Sequence, residues 1–325
     1  MRKTLKIIAV IFASLLVVGG FYYSYEQYNK PNIPISNPQP VKNNSTTPPP
    51  PEPPKYIANV IGTSSNPYNY VPIKQGAIGT DLWNIKSAKG ETNMTLSNNH
   101  SLYVNSSFSN VQSGVNTILG YPEIAYGYNL EDQLFGNSQS SSLRFPVKFS
   151  TFENSSFNST VNYSFTNLNP KAIPIDFSYD LWLEGNPTPL QNPTQGDLEV
   201  MIWMYSQDNQ PIGTQVGSFN SSITFDHKQY NSKWEVWYGK ANAWPTVSFV
   251  LQYPGVASHA NISLNISKFI SYGGIVSNEN VSNHTLMGIE MGNEFGNENI
   301  STNISNWVLS YYAFEANKAK INMLE

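Results

Sequence analysis

Residues 198–205 read LEVMIWMY, and this stretch predicts a β-strand with two different faces. Side chains alternate along a strand, so one face carries Val200, Ile202 and Met204. That face is wholly apolar and predicts the core of a sheet. The opposite face carries the remaining residues, Glu199, Met201, Trp203 and Tyr205. An ionised carboxylate is costly to bury without partners, so Glu199 is either solvated at an outward position or part of a functional groove.

The composition of the 325-residue chain argues against several classes of function. Charged residues make up only 12%, and the net charge is −4, so nucleic-acid binding has little electrostatic support. The chain has no cysteine, which excludes disulfides and cysteine nucleophiles. The histidines are scattered without ligand spacing, so we expect no metal site. The 13% of aromatic residues fits either an all-β core or an aromatic-lined groove for a neutral ligand.

The N-terminal part predicts export and a spacer. Residues 1–30 combine a basic start with an apolar run over residues 7–23, which predicts a signal peptide or an uncleaved membrane anchor. The basic flank predicts that the remainder lies outside the cell, secreted or tethered to the outer face of the membrane, with membrane contact only through residues 7–23 if they are not cleaved. Residues 31–56 are rich in proline and predict a semi-rigid linker. Residues 57–325 then form the globular domain, whose many N-x-S/T sequons predict a glycosylated surface.

This globular domain predicts an all-β fold. Strand-like segments separated by turn residues cover 102–108, 141–152, 161–168, 173–183, 198–205, 233–239, 245–253 and 306–314. One helix is predicted within residues 261–274 by apolar residues at helical spacing, Ile262, Ile266, Phe269 and Ile270. Gly273–Gly274 predict its end. About ten or more strands with one helix predict a β-jelly-roll sandwich of two antiparallel sheets with the helix packed outside it.

Two further acidic segments could supply partners for Glu199. In SYDLWL (178–183), Asp180 shares a face with Trp182 and could tune the glutamate, although a plain strand-end aspartate remains an alternative. In MGIEMGNEFGNE, glycines, which often mark close approach of a ligand, separate three acids, Glu290, Glu294 and Glu298. One of these three could be the second carboxylate that acid-assisted glycoside hydrolysis needs, one acid being ionised and the other protonated.

A set of short motifs, in this order, resembles glycoside hydrolase family 12, the small β-jelly-roll endoglucanases. The motifs are DLW (81–83), GYPEI (120–124), YDLWL (179–183), GDLEVMIWMY (196–205), QPIG (210–213), WEVWYG (234–239) and GIEMGNEFG (288–296). They extend over nearly all of residues 79–314. Each motif is short, but the ordered set is specific.

The resemblance implies roles for individual residues. Glu199 matches the nucleophile, Glu294 matches the general acid/base, and Asp180 is placed beside the nucleophile. GNEFG has Asn293 where the family usually has Thr, but the acid itself is retained. The expected substrate-binding cleft contains Asp81, Trp83, Tyr121, Glu123, Met201, Trp203 and Trp237.

The expected activity is that of a retaining endo-β-1,4-glucanase, a monomer that hydrolyses cellulose or a related β-glucan without a cofactor. Retention requires the two carboxyl groups to lie about 5–5.5 Å apart. Two alternatives stay open: a xyloglucanase or xylanase of the related jelly-roll type, and a non-catalytic carbohydrate-binding surface protein. The presence of both Glu199 and Glu294 favours an enzyme over the binding protein.

Overall fold

Strands make up most of the described part of the chain, as the alternation of apolar and polar residues predicts. The computed structural model describes residues 56–98, 100–128, 134–135, 144–166, 174–186, 193–241, 243–255, 257–296, 300–312 and 318–324. The predicted signal or anchor, nearly all of the predicted linker and Glu298 lie outside these residues. No helix in the described ranges is long and apolar enough to cross a membrane.

The described elements are eighteen strands, one α-helix and two short 3₁₀ turns. The strands are β1 Tyr56–Gly62, β2 Tyr70–Pro72, β3 Ala77–Gly79, β4 Ile85–Ser97, β5 Leu102–Ser113, β6 Glu123–Tyr128, β7 Leu134–Phe135, β8 Val147–Lys148, β9 Ser156–Thr166, β10 Ile175–Glu184, β11 Leu198–Gln207, β12 Thr214–Phe225, β13 Lys228–Ala241, β14 Trp244–Tyr253, β15 His259–Asn265, β16 Thr285–Gly292, β17 Ile300–Tyr312 and β18 Lys318–Asn322. The helix is α1 Ile266–Ser277, and the 3₁₀ turns are Phe149–Thr151 and Val281–Asn283.

The strands form two sheets that pack as a sandwich. In the first, called the cleft sheet, the order is β2–β3–β6–β16–β10–β11–β14–β13–β12. In the second, called the back sheet, the order is β1–β4–β5–β17–β9–β15, and a short pairing of β12 with β15 joins the two. Within this sandwich, β11 and β14 run parallel, because the β12–β13 hairpin separates them in sequence. The predicted two-sheet jelly-roll sandwich is confirmed.

The core lies between the sheets and is built from the faces that the alternation predicts. Val200, Ile202 and Met204 of β11 are fully buried in it. Aromatic rings meet across the two sheets, as where Tyr163 of β9 lies 4.5 Å from Phe177 of β10 between ring centroids. These rings bury large apolar areas and account for much of the cohesion between the sheets.

The predicted position of Tyr205 on the same face as Glu199 is wrong. The β10–β11 register shifts at Phe177, which pairs with Tyr205 while the next residue pairs with Trp203. Met204 is therefore an extra residue in a bulge, and a bulge turns the following side chain to the other face of the strand. Tyr205 consequently packs in the core, with its ring 4.8 Å from that of Phe165.

The predicted helix is present, but both of its limits differ from the prediction. Ile262 belongs to β15, and α1 begins after Asn265, whose side chain accepts a hydrogen bond from the Ser267 amide as an N-cap. Gly273–Gly274 lie inside the helix, which ends at Ser277 before a left-handed Asn278.

Close packing is the reason for the paired glycines. A Cβ on Gly273 would lie 3.1 Å from Val200, and one on Gly274 would lie 2.7 Å from Val281. Gly273 thus lets the helix approach the back of β11, and Gly274 lets the 3₁₀ turn at Val281 pack against the helix, so neither glycine ends it.

The segment predicted as a strand at 141–152 is mostly irregular in its described part. Only Val147–Lys148 pairs, with β16, and a 3₁₀ turn follows at Phe149–Thr151. The physical reason is aromatic packing, because Phe149 and Phe152 both turn into the core with their rings 5.0 Å apart.

Replacing Phe269 with Ala is expected to reduce the free energy of unfolding by about 3–5 kcal/mol, as for other buried aromatic truncations. Phe269 of α1 is fully buried, and its ring lies 4.9 Å from Trp234 and 5.1 Å from Phe249 on the back of the cleft sheet. Denaturant unfolding would measure the loss. Ile275 on the same helix is 74% exposed, so Ile275→Ala is the matched control and should change stability by less than about 0.5 kcal/mol. Equal effects of the two changes would contradict this packing role.

Candidate active site

Glu199 lies at the start of β11, on the face of the cleft sheet that points away from the core. Its side chain is 7% exposed, and its Oε2 accepts two hydrogen bonds of 2.7 Å, from Trp244 Nε1 and Thr246 Oγ1. Thr246 is the direct partner of Glu199 across the parallel β11–β14 pair, so strand register brings the hydroxyl to the carboxylate. Among the residues that the structure describes, no donor contacts Oε1, which leaves that oxygen to a ligand in the cleft.

Opposing effects set the ionisation of Glu199. Burial raises the pKa of its carboxyl, the hydrogen bonds from Trp244 and Thr246 lower it, and the charge of Glu294 raises it again. Burial prevails, so the pKa lies above its usual range. The two donors are therefore the groups that favour the ionised form of Glu199.

Glu294 follows β16 and is held by a partly buried hydrogen-bond network. Its Oε2 accepts a 3.4 Å hydrogen bond from Asn209 Nδ2, its side chain is hydrogen-bonded to that of Asp176, and its carbonyl accepts from the Asp176 amide. Asp176 is fully buried and also accepts 2.8 Å bonds from Ser178 Oγ and Asn209 Nδ2. The second acid is thus fixed by residues of β10 and of the loop after β11.

Asp176 and Glu294 form a pair of carboxyl groups in direct contact. Burial raises the pKa of Asp176 well above its usual range, and the neighbouring charge of Glu294 raises it further. Burial also raises the pKa of Glu294, whereas the hydrogen bond from Asp176 lowers it. Two carboxylates in contact cannot both ionise cheaply, so Asp176 stays protonated and donates a hydrogen bond to Glu294, and burial also favours the protonated form of Glu294.

Asp180 and Glu290 lie on the floor of the cleft. They are direct cross-strand partners on β10 and β16, and both side chains are buried. Glu290 Oε2 accepts a 3.3 Å hydrogen bond from Trp182 Nε1. Burial raises the pKa of Asp180 well above its usual range, followed in importance by the charges of Glu199 and Glu290. Asp180 is therefore expected to be protonated when Glu199 is ionised.

These acids line one cavity of about 580 Å³ on the cleft sheet. Its carboxyl groups are those of Asp81, Glu123, Asp180, Glu199, Glu290 and Glu294, and no Lys, Arg or His from the described ranges lines it. The described residues contain no group of three or more His, Asp or Glu arranged to hold a metal ion. Glu199 offers a free oxygen, and burial favours a proton on Glu294, which accepts a hydrogen bond from Asp176. This combination suits glycoside hydrolysis by an ionised and a protonated carboxyl group.

A model of glycosyl hydrolase family 12 matches residues 75–312, a range that contains all of these acids. The chain belongs to glycosyl hydrolase family 12. It is a glycoside hydrolase, and its β-jelly-roll fold is that of the family. A search of curated protein sequences found no match.

Solved structures of family 12 enzymes share the fold. A xyloglucanase from Bacillus licheniformis is 20% identical with a TM-score of 0.60, over 78% of this chain and 100% of that chain. The endoglucanase Cel12A from Rhodothermus marinus is 16% identical with a TM-score of 0.57, again over 78% and 100%. Endoglucanase 3 from Trichoderma harzianum is 19% identical with a TM-score of 0.55, over 79% and 99%. At such identities the likeness concerns the fold.

This family 12 hydrolase brings nearly all of the predicted cleft residues together. The cavity is lined by the predicted residues Asp81, Trp83, Tyr121, Glu123, Met201 and Trp203, beside the acids described above. Trp237 does not line it; its ring packs against Met201, Trp203 and Val250 beside it. Trp237 therefore lies beside the cavity, on β13, which follows β14 in the cleft sheet.

Hydrogen bonds distinguish the cleft residues of this hydrolase. The Tyr121 hydroxyl donates to the Ser178 carbonyl at 2.9 Å, and Glu123 Oε1 accepts from the Tyr70 hydroxyl at 2.8 Å, so both are tied into the floor. By contrast, the Trp203 indole N–H is buried without a hydrogen-bond partner among the described residues.

Sequence patterns alone had not indicated four residues of the site: Asp176, Asn209, Trp244 and Thr246. Asp176 did carry a signal, because it lies four positions before Asp180 and therefore on the same face of the strand. The other three carried none. Asn209 is in a loop, and Trp244 and Thr246 reach Glu199 only because β14 inserts beside β11.

Proposed function

We propose that this family 12 hydrolase is a retaining endo-β-1,4-glucanase that cleaves internal bonds of cellulose or a related β-glucan. The observation that carries the proposal is the difference in environment between Glu199 and Glu294 in one cavity. One is bound through a single oxygen by two neutral donors, and the other is hydrogen-bonded to a carboxylic acid. Such unequal environments are how two carboxyl groups take up the roles of nucleophile and acid.

In the first step, Glu199 Oε1 attacks the anomeric carbon, and a bond from that oxygen to the carbon forms. The bond from the anomeric carbon to the glycosidic oxygen breaks, and the leaving oxygen takes the proton of Glu294. The products are a glycosyl ester on Glu199 and the released chain end with a free hydroxyl. Trp244 and Thr246 keep their donors on Oε2 throughout, which orients the attacking oxygen.

In the second step, the now ionised Glu294 takes a proton from water while the water oxygen bonds to the anomeric carbon. The ester bond to Glu199 breaks, and both glutamates return to their starting protonation states. Two inversions at one carbon give net retention of configuration. Asp180, protonated beside Glu199, would limit the negative charge around the carboxylate that leaves.

The test is reducing-end release from carboxymethylcellulose, lichenan, xyloglucan and xylan, with the product anomer followed by NMR. We expect β-glucan hydrolysis with the β-anomer formed first. Xyloglucan is included because a structural relative is a xyloglucanase, and xylan because of the related jelly-roll xylanases. Exclusive activity on xylan, or initial release of the α-anomer, would refute the proposal. Binding of glucans without hydrolysis would indicate a carbohydrate-binding protein instead.

Neutral glucans are expected to be hydrolysed faster than carboxymethylcellulose at equal chain concentration. The cavity is lined by carboxyl groups and by no cation from the described residues, so carboxymethyl groups near the cleavage point meet only like charge. Initial rates on lichenan and on carboxymethylcelluloses of rising substitution would measure the effect. Rates independent of the degree of substitution would contradict this reading of the cleft.

Replacing Asp176 with Asn is expected to move the alkaline limb of the kcat/KM profile to higher pH. Glu294 must be protonated to act as the acid, and the hydrogen bond from Asp176 lowers its pKa. An amide is a weaker donor to a carboxylate than a carboxylic acid, so Glu294 should keep its proton to higher pH. Ser178→Ala, which removes a donor to Asp176 but none to Glu294, should shift this limb much less. An unmoved limb in Asp176→Asn would contradict a hydrogen bond from Asp176 that lowers the pKa of Glu294.

We also propose that the chain is exported and acts as a glycosylated monomer, secreted or anchored through residues 7–23. The basic and apolar N-terminal sequence, the proline-rich linker and the sequons support this. Fractionation of the producing cells, glycopeptide mass spectrometry and light scattering would test the three parts separately. An intact enzyme retained in the cytoplasm would refute export.

A further inference from the structure

Glu290 is a cleft carboxyl group to which the two-step mechanism gives no part. It lies on β16, lines the same cavity as Glu199 and Glu294, and is buried. The titratable groups around it include Asp180 opposite on β10, Tyr70 on β2 and Tyr121 before β6. Burying a carboxyl among other acids weakens the fold, so a group of this kind calls for a function.

A chain of contacts runs from Glu290 to the proposed nucleophile. Glu290 Oε2 accepts from Trp182 Nε1 at 3.3 Å. The Trp182 ring meets the Trp244 ring edge to face, with centroids 5.6 Å apart and planes at 74°. Trp244 Nε1 then donates to Glu199 Oε2 at 2.7 Å.

This chain of contacts constrains the orientation of the Trp244 ring. Trp244 is the first residue of β14 and is only partly buried. Trp182 is nearly inaccessible in the middle of the sheet, and its N–H is held by Glu290. An edge-to-face contact depends on the orientation of both rings, so a fixed Trp182 constrains the plane of Trp244. That plane determines whether its N–H reaches Oε2.

We propose that Glu290 is a positioning residue for the nucleophile, acting through the Trp182–Trp244 pair; its kinetic consequences rest on the proposed glucanase function. Glu290 orients Trp182, Trp182 orients Trp244, and Trp244 ties Oε2 so that Oε1 faces the anomeric carbon. The acceptor oxygen of Glu290 matters for this role, and its charge does not.

The test compares Glu290→Gln with Glu290→Met. Gln keeps an acceptor for Trp182, whereas Met fills similar space without one. We expect Glu290→Gln to stay within about threefold of wild-type kcat and Glu290→Met to lose roughly 10- to 100-fold, with KM little changed. In Glu290→Met the acid limb of kcat/KM should also move to higher pH, because loss of the Trp244 bond raises the pKa of Glu199.

Loss of the Glu290 charge alone would shift the acid limb of kcat/KM in the opposite direction. Removing a nearby negative charge favours ionised Glu199 and would move the acid limb to lower pH. A downward shift in Glu290→Met, or equal losses in the Gln and Met variants, would overturn the positioning role. Wild-type kcat in Glu290→Met would overturn it as well.

A spectroscopic readout separates this proposal from the proposed function. The two indoles are close enough to couple, and far-UV circular dichroism should show an exciton couplet that is lost in Trp182→Phe. The couplet should persist in Glu290→Gln and diminish in Glu290→Met, whether or not any glucan is cleaved. An unchanged couplet in a folded Glu290→Met variant would overturn the proposal. Glu290→Met should add little to the kinetic loss of Trp182→Phe, and full additivity would show that Glu290 does not act through Trp182.

Discussion

Glu199→Gln is expected to lower kcat on soluble β-glucan by roughly 10³-fold or more, because the amide cannot form the glycosyl ester. Its carbonyl oxygen can still accept the hydrogen bonds that Trp244 and Thr246 donate to Oε2. The fold should therefore be kept, and the melting temperature should stay close to that of the wild type. Steady-state kinetics with a thermal melt on the same sample would measure both. Activity near the wild-type level would exclude Glu199 as the nucleophile.

A second variant identifies the step that is lost. Glu199→Gly leaves space where the carboxylate stood, and azide can enter it and attack the anomeric carbon from the same side. With an activated aryl β-glucoside oligomer, added azide should restore turnover and give the α-glycosyl azide. The matched control for Glu199→Gln is Glu91→Gln, which makes the same chemical change at an exposed glutamate of β4, on the back sheet. If azide has no effect on Glu199→Gly, the proposed attack of Glu199 on the anomeric carbon would be without support.

Glu294→Gln is expected to lower kcat on β-glucan by roughly 10²- to 10⁴-fold, the usual contribution of a positioned acid or base. The loss should depend on the leaving group, since a nitrophenolate departs without a proton whereas a sugar hydroxyl does not. On an aryl glycoside the first step should survive and the second should fail, so a burst of phenolate should precede a slow steady state. Equal losses on both classes of substrate would contradict the acid role.

The fold could be predicted largely from local patterns. Alternation in LEVMIWMY and YDLWL assigned the core faces correctly, because burial on one side of a sheet imposes a period of two on the side chains. The pattern failed where a third element intervened. The bulge at Met204 turned Tyr205 into the core, and the paired glycines serve close packing against Val200 and Val281 inside the helix instead of ending it.

The acids of the cleft could be predicted from the sequence, whereas the groups that surround them could not. Glu199, Asp180 and Glu294 stand in short motifs whose order along the chain is specific to the family. Trp244 stands in no such motif, and it contacts Glu199 across a strand pair formed by segments 45 residues apart.

The sequence by itself determined that the chain builds a β-sandwich with acids on one face of two neighbouring strands, because strand periodicity is a local property. Only the tertiary structure decided what each acid is paired with. In the folded chain, two donors are hydrogen-bonded to Glu199, a buried carboxylic acid to Glu294 and an indole to Glu290. The ionisation of a buried carboxyl depends on such partners within a few ångströms, and they come from strands and loops far apart in the chain.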